Sequence, residues 1–145
     1  MPPDEGSSLR RKVELRAAGC CEYCQSQSWY STQPFSLEHI KPRSRDGETV
    51  LDNLAFAYQG CNNHKYNKVE APDPITGQFV PLFNPRKERW KKHFTWDDSY
   101  ELIIGLTPVG RATIEALKLN RDELVNLRRL LFAAGEHPFR PPRLE

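Results

Sequence analysis

Three cysteines with metal-ligand spacing constrain this chain more than any other feature. Cys21 and Cys24 are separated by two residues, and Cys61 follows later in the sequence. A Cys-x-x-Cys turn lets two thiolates reach one tetrahedral zinc ion, but one such pair supplies only half of a site. The pair could instead be a redox motif or two buried small apolar side chains. Since no thioredoxin-like βαβ pattern surrounds it, the redox interpretation is disfavoured.

Length and composition indicate a single globular unit. The chain has 145 residues, which suits one compact domain with a decorated end. Its longest apolar run, residues 102–106, is too short to cross a bilayer, and residues 1–6 lack the apolar core of a secretory signal. We therefore expect a cytoplasmic protein with reduced cysteines and no membrane partner. The net charge of +2 excludes no function by itself.

The first half of the chain predicts a helix, two strands and a second helix. Apolar residues at helical intervals predict a helix over residues 8–18, capped by Ser8, after a disordered leader at residues 1–7. Residues 35–41 alternate as a strand does, and residues 53–58 form an apolar run that should be buried. Between them, an Asp-Gly pair is typical of a tight turn. A short helix is expected over about residues 61–68.

The second half predicts short strands and two helices. A proline-rich loop at 71–77 precedes apparent strands at 78–82, 95–96 and 100–104, in that order along the chain. Thr107 followed by proline predicts a cap and a helix to about residue 119. Asn120 is expected to cap a second helix, which carries an apolar stripe and is followed by a frayed tail at 138–145. The stripe consists of Leu124, Leu127, Leu130 and Leu131.

Short polar motifs carry the candidate chemistry. Glu38 and His39 are adjacent on a predicted strand, so their side chains point to opposite faces and can do different jobs. Asn53 lies in a turn, where its side chain would hold loop backbone groups. Asn62 places an amide oxygen that can ligate a hard cation at a helix start, with Lys65 one turn later. Each motif taken alone also fits an ordinary structural role.

Taken together, the motifs resemble the HNH endonuclease pattern. Between about residues 18 and 68 the chain reads Cys-x-x-Cys, Glu-His-Ile-x-Pro, Asp-Gly, Leu-Asp-Asn-Leu and Cys-Asn-x-x-Lys, in the family's order. Residues 81–86 and 90–96 are similar to an extension found in small bacterial members. The resemblance implies an α+β fold, with a ββα-metal (HNH) core at 8–70 that includes the N-terminal helix. It also implies a C-terminal extension of short strands and two helices at 71–137.

The resemblance assigns roles to four of these residues. His39 would be the general base that activates water, and Asn53 would brace the loop and orient that base. Glu38 and Asn62 would hold one catalytic ion, Mg²⁺ or Mn²⁺. Such an ion neutralises charge that grows on a phosphodiester during hydrolysis, which is consistent with this set.

The resemblance further implies contact with a nucleic-acid backbone. Arg43 and Arg45 directly follow the catalytic strand, where a cleft must tolerate phosphate. Lys65 is a third candidate for phosphate contact, with simple solvation as its alternative. The implied reaction is metal-dependent hydrolysis of DNA phosphodiester bonds, with RNA as the alternative substrate. No helix suited to reading a groove is apparent, so sequence specificity is expected to be low or supplied by a partner.

The chain departs from the family at its second cysteine pair. Residues 58–61 read Tyr-Gln-Gly-Cys, with Tyr58 where a thiolate is expected. Phenol is a poor zinc ligand at neutral pH because its pKa is about 10. Three arrangements stay open: a zinc ion held by Cys21, Cys24, Cys61 and His64; a zinc ion that uses Cys20; or no zinc ion, with Tyr58 packed in its place.

Two other functions compete with the nuclease. One is a non-catalytic nucleic-acid-binding zinc-knuckle module, although such a module has no need of the polar set around His39. The other is a toxin or defence effector that depends on a protein partner held by residues 124–131. A protein partner or a homodimer is compatible with either nuclease interpretation. Cleavage of DNA by the purified chain separates the enzyme from the binding module.

Overall fold

A computed structural model describes residues 5–140 and shows an α+β fold, as predicted. Three two-stranded antiparallel sheets alternate with helices along this part of the chain. In chain order, the elements are α1 (Glu5–Arg16), β1 (Ser36–His39), β2 (Leu54–Ala57), α2 (Gln59–Lys65), β3 (Glu70–Pro72), β4 (Phe79–Pro81), α3 (Trp90–His93), β5 (Phe94–Trp96), β6 (Ile103–Gly105), α4 (Pro108–Leu117) and α5 (Asp122–Ala133).

A ββα unit forms the centre of the fold. Strands β1 and β2 pair antiparallel, with Glu38 opposite Ala55 and His39 opposite Leu54. Every residue of β2 is buried, as its continuous apolar sequence predicted. Helix α2 starts two residues after β2, so the chain turns directly from the buried strand into the helix that carries Asn62. These three elements place the candidate site residues on one small frame.

Helix α1 packs on this unit but begins earlier than predicted. It starts at Glu5, so Ser8 is not its cap, and residues 5–7 of the predicted leader are helical. Residues 1–4 lie outside the described range. Val13 is fully buried, and the Arg16 guanidinium donates to the carbonyl oxygens of Leu51 and Leu54 at 2.9 and 2.6 Å. These bonds fasten the end of α1 to the start of β2.

Residues 70–117 confirm most of the predicted elements. The predicted strands correspond to β4, β5 and β6, while β3 lies partly in the segment predicted as a loop. Strand β3 forms because it pairs with β4, which a local pattern cannot show. Thr107 caps α4 as predicted, because its hydroxyl accepts a hydrogen bond from the Gly110 amide at 3.0 Å.

The last helix differs from the prediction in its cap and in its buried face. Arg121 occupies the cap position of α5, because the Asn120 side chain instead bonds both backbone groups of Ile103 on β6. Leu124 is buried, but Leu130 is exposed. The charged residue Arg128 takes an interior place and donates to the carbonyl oxygens of residues 101 and 119. The predicted leucine stripe is therefore only partly core.

One hydrophobic core joins the two halves of the chain. The rings of Tyr23 and Phe83 meet edge to face at 6.4 Å, and Phe83 meets Phe94 at 5.2 Å in the same manner. All three rings are almost completely buried.

Across residues 5–140, no helix combines the length and apolar character needed to cross a membrane.

Candidate active site and thiol cluster

His39 lies at the end of β1 with its imidazole partly exposed. Its Nε2 atom is 2.9 Å from the Thr49 hydroxyl, in the loop that connects β1 to β2. Burial and the positive charge of Arg43 lower the pKa of His39 below its ordinary value, against the opposing effect of Glu38. The ring therefore favours its neutral form near pH 7, in which one nitrogen can accept a proton.

An open cleft of about 340 Å³ contains this histidine. Its lining brings together the end of β1, the turn after it and the exposed side of α2, which provides Asn62. The exposed Arg43 also lines the cleft, and Arg45 is exposed in the same turn with its Nε donating to the Asn67 carbonyl at 3.1 Å. The structure thus brings His39, Asn62 and Arg43 together at one surface.

Glu38 faces the interior, opposite to His39, as strand alternation predicts. The Lys65 ammonium lies 2.5 Å from its Oε1 atom, and the Tyr23 hydroxyl donates to its Oε2 atom at 2.6 Å. Lys65 also donates to the Ile40 carbonyl at 3.0 Å. Glu38 and Lys65 are 2% and 1% exposed, so neither presents its charge to solvent in this structure. The predicted phosphate contact by Lys65 is replaced here by a buried ion pair.

Asn53 holds the loop between β1 and β2 closed. Its amide nitrogen donates to the carbonyl oxygens of Lys41 and Glu48 at 3.0 and 2.8 Å, and its amide oxygen accepts from the Lys41 amide at 2.8 Å. Within this loop Asp46 adopts a left-handed conformation, as the Asp-Gly pair predicted. Gly47 is required for space, since a Cβ there would lie 1.7 Å from the Lys41 carbonyl oxygen. These contacts fix the loop beside His39.

A second cluster lies behind the ββα unit. The sulfur atoms of Cys21, Cys24 and Cys61 all lie within 4.8 Å of one another, and all three residues are buried. Hydrogen bonds among the thiols and to Ser26 hold the pKa of Cys24 well below its ordinary value, although burial opposes this. Burial raises the pKa of Cys21 and of Cys61. The three thiols therefore interact as one buried cluster.

Two residues predicted as alternative zinc ligands are not in this cluster. His64 is exposed on α2, and its ring nitrogens are not among the ligand atoms that meet in the cluster. Cys20 points elsewhere, with its sulfur 3.8 Å from the Ala18 carbonyl oxygen. The His64 prediction is corrected: the described residues bring three sulfurs together without that imidazole.

Arg121 lies against the Cys61 sulfur of the cluster. Its Nη2 and Nη1 atoms lie 3.5 and 3.6 Å from the Cys61 sulfur. The guanidinium also packs over the Tyr58 ring, 5.3 Å from its centroid. Tyr58 in turn meets Phe35 edge to face at 5.3 Å. Tyr58 is thus a packing partner for an arginine and an aromatic ring.

Three residues in these sites were not identified from the sequence. Thr49 contacts His39, Tyr23 contacts Glu38, and Arg121 contacts Cys61. Tyr58 in place of a cysteine indicated that the cluster departs from the HNH pattern that the sequence resembles. The contact between Cys61 and Arg121 spans 60 residues, so it leaves no local signal.

Donor chemistry decides which ions these sites suit. The predicted ligands Glu38 and Asn62 would offer carboxylate and amide oxygens, which suit a hard divalent cation, although Lys65 already neutralises the carboxylate. The three thiols suit a soft or borderline cation such as zinc. The oxygen donors and the thiol donors therefore suit different ions.

A comparison with protein families agrees with the motif order. Residues 21–68 match the family model for the HNH endonuclease. The matched range spans the thiol cluster, both strands of the ββα unit and α2. No curated protein and no solved structure matches the chain.

Proposed function

We propose that the HNH endonuclease domain formed by residues 21–68 makes this chain a metal-dependent nuclease that hydrolyses DNA phosphodiester bonds. The observation that carries the proposal is the cleft in which His39 and Asn62 lie together, with Arg43 at its edge. A base, an oxygen ligand and a cationic side chain at one open surface are what phosphodiester hydrolysis requires.

His39 acts as the general base. Its Nε2 atom is occupied by Thr49, so Nδ1 is the nitrogen assigned to take a proton from water. The Thr49 contact holds the ring in one orientation, and Asn53 holds the loop that carries Thr49. Asn53 therefore acts through the position of His39, as a positioning residue.

Asn62 and Glu38 are the proposed ligands of the catalytic ion. Mg²⁺ or Mn²⁺, when bound, would offset the negative charge that develops on phosphate and leaving oxygen. Both residues line the cleft, although the Glu38 carboxylate is paired with Lys65. The ion and the Lys65 ammonium thus compete for the same carboxylate, and loading of the site requires Lys65 to release it.

Arg43 and Arg45 are the proposed contacts to the nucleic-acid backbone. Both are exposed in the turn that follows β1, and part of this turn lines the cleft. Contacts to phosphate position a substrate without reading its sequence, so broad specificity is expected. RNA is the alternative substrate. The proposal includes a cytoplasmic location, which agrees with the four free cysteines.

A non-catalytic nucleic-acid-binding module is the second candidate. The observation that favours it is the Glu38–Lys65 pair, because a carboxylate already neutralised by an ammonium group offers less to a metal ion. Under this alternative the cleft and its arginines bind a phosphate backbone without hydrolysis.

Plasmid nicking by the full chain separates the two candidates. We expect nicking with Mg²⁺ or Mn²⁺, none with EDTA, and loss of nicking in His39→Ala while DNA binding and the circular dichroism spectrum are retained. His64→Ala is the matched control, because His64 is an exposed histidine on α2 outside the cleft lining. Intact plasmid with every metal, together with DNA binding, would favour the binding module; unchanged nicking by His39→Ala would remove His39 from the mechanism.

A further inference from the structure

The chain leaves helix α2 through a tight turn that contains a tyrosine. The Lys68 amide donates to the Lys65 carbonyl oxygen at 3.0 Å, which closes a four-residue turn. Tyr66, the second residue of this turn, has a φ of 53° and a ψ of −117°. These angles are close to those of the first central position of a type II′ turn, where glycine is the usual residue. A residue with a β-carbon is strained in this conformation.

Contacts on both sides of Tyr66 hold the turn in this conformation. The Lys65 ammonium is fixed by the buried Glu38 carboxylate at 2.5 Å, and the Asn67 carbonyl oxygen accepts from the Arg45 Nε atom at 3.1 Å. Tyr66 lies between Lys65 and Asn67 in the sequence. A strained backbone conformation persists only where the surrounding structure determines it, and such residues cluster at binding and active sites. The strain at Tyr66 therefore calls for a test of function.

Packing in the folded chain does not explain why a tyrosine occupies this position. Tyr66 is 77% exposed, the highest value among the large apolar side chains of residues 5–140. Its ring therefore buries little surface that would compensate for the strained backbone. A single exposed aromatic residue is ordinary on a protein surface. An exposed aromatic residue in a conformation that suits glycine is not, because a glycine here would remove the strain at little cost in packing.

The place of this tyrosine connects it to the candidate active site. Tyr66 lines the same cleft of about 340 Å³ as His39, Asn62 and Arg43. This volume lies within the range of about 300–1,000 Å³ that is typical of small-ligand sites. An exposed ring and a guanidinium in one cleft suit a single nucleotide unit of a nucleic acid, since the base can stack on the ring while the phosphate pairs with the guanidinium.

Stacking on a protein ring distinguishes unpaired bases from paired ones. Inside a duplex the faces of each base are covered by its neighbours, so a protein ring reaches such a face only where the base is unpaired or has left the stack. Contacts from arginine to phosphate are available on single strands and on duplexes alike. An aromatic ring in the cleft therefore adds a preference that Arg43 and Arg45 do not supply.

We propose that Tyr66 stacks on an unpaired base beside the phosphate that Arg43 contacts, so that DNA with unpaired bases is the preferred substrate. The inference rests on the proposed nucleic-acid substrate of the cleft and names its class. The turn holds the Tyr66 backbone in place before the substrate binds, so less conformational entropy is lost on binding. Tyr66 contacts the base and takes no part in proton transfer.

Binding of two labelled oligonucleotides by the full chain tests the stacking. A short single strand and the blunt duplex of the same sequence are compared by fluorescence anisotropy, in EDTA so that neither is cut. Tyr66→Ala should bind the single strand about 5–150-fold more weakly than the wild type, with little change for the duplex. Tyr66→Phe should bind like the wild type, whereas Tyr66→Leu, which has no ring, should bind like Tyr66→Ala. Phe79→Ala is the matched control, since Phe79 is a 67% exposed aromatic residue outside the cleft lining.

Thermal unfolding of two variants without the ring tests the strain. Tyr66→Gly and Tyr66→Ala both remove the stacking surface, but only glycine adopts a φ of 53° with a ψ of −117° without a steric penalty. Tyr66→Gly should therefore melt a few degrees higher than Tyr66→Ala. Both variants should bind the single strand equally weakly, which separates the role of the ring from that of the backbone.

Four results would overturn the proposal. Two are no binding of either oligonucleotide by the wild type and equal single-strand affinity in the wild type and Tyr66→Ala. A third is an equal loss for single strand and duplex in Tyr66→Ala, which would make Tyr66 a contact to the backbone. The fourth is a melting temperature of Tyr66→Gly no higher than that of Tyr66→Ala, which would remove the strain from the argument.

The outcome is separable from that of the nuclease proposal, because binding is measured without metal. A chain that binds single strands through Tyr66 but never nicks plasmid would refute the nuclease proposal alone. A chain that nicks plasmid through His39, with single-strand binding unchanged in Tyr66→Ala, would refute the stacking proposal alone.

Discussion

The Lys65 ammonium lies 2.5 Å from the Glu38 carboxylate, in a pair with both side chains 2% exposed. One member is on β1 and the other is on α2, so the pair joins the strand that carries His39 to the helix that carries Asn62. Removal of one member of such a pair leaves an uncompensated buried charge. The geometry of the cleft therefore depends on a contact inside the protein.

Lys65→Met should destabilise the chain by about 3–5 kcal/mol, because it strands the Glu38 carboxylate. Urea unfolding in EDTA measures this. Glu38→Gln combined with Lys65→Met should recover most of the loss, since it removes both charges and leaves an acceptor for the Tyr23 hydroxyl. Additive losses in the double variant would show that the two residues are not coupled.

Magnesium should stabilise Lys65→Met more than the wild type. If the ion and the ammonium compete for Glu38, removal of the ammonium frees the carboxylate for the ion, and ligand binding to the folded state raises the melting temperature. Thermal unfolding with and without Mg²⁺ measures the difference. An equal shift in both proteins would argue that the ion does not use Glu38.

Asn53→Ala should loosen the loop between β1 and β2 and reduce nicking. The substitution removes three hydrogen bonds to the backbone of Lys41 and Glu48, each worth about 1 kcal/mol. Hydrogen exchange of residues 41–52 should accelerate relative to the wild type. Asn126→Ala, on the exposed side of α5, serves as the control. Unchanged exchange together with unchanged nicking would contradict the bracing role.

Thr49→Val should slow nicking by about 5-fold with little change in substrate binding. Valine keeps the shape of threonine but removes the hydroxyl that orients the His39 ring, a contact worth about 1 kcal/mol. Thr49→Ser restores the hydroxyl and should restore most of the rate. The comparison requires single-turnover kinetics at saturating metal. A rate in Thr49→Val equal to that of the wild type would mean that another contact orients the ring.

Asp73 should make stability depend on acid pH. Its buried carboxylate accepts hydrogen bonds from the Arg111 Nε and Nη2 atoms at 2.9 and 2.8 Å, and Arg111 is the main reason that the pKa of Asp73 lies well below its ordinary value. A lowered pKa in the folded state contributes stability above the unfolded pKa of about 3.9, and this is lost as pH falls below that value.

Asp73→Asn should therefore melt at a lower temperature than the wild type at pH 7, and the gap should narrow below about pH 4. Melting curves across this range measure the effect, with Asp98→Asn as an exposed control. A gap that stays constant from pH 7 to pH 2 would show that the ionised carboxylate is not what Arg111 stabilises.

Local chemistry predicted the parts of the fold whose causes are local. Thr107 followed by proline identified the start of α4, and the Asp-Gly pair identified the turn at Asp46. The position of Asn53 in a turn predicts that its side chain bonds nearby backbone groups. In the structure it bonds the backbone of Glu48 and Lys41, which lie 5 and 12 residues away in the sequence.

Long-range contacts explain what the sequence could not show. Strand alternation placed Glu38 and His39 on opposite faces, but the partners of Glu38 come from 15 and 27 residues away. Asn120 had the composition of a helix cap, yet Ile103 on β6 recruits its side chain. Arg121, the cap residue of α5, contacts Cys61 from 60 residues away, and no spacing rule links a cysteine to a distant arginine.

Side chains from the second half of the chain contact the Cys-x-x-Cys turn and hold it in place. The Trp90 indole donates to the Tyr23 carbonyl at 2.9 Å, and Arg86 pairs with Glu22. Residues 22 and 23 lie inside this turn, so the side chains of Arg86 and Trp90 help to hold the turn in place. Transplanting residues 21–68 as a minimal cutting module onto another DNA-binding protein would leave these anchors behind. A transplanted module should therefore also include Arg86 and Trp90.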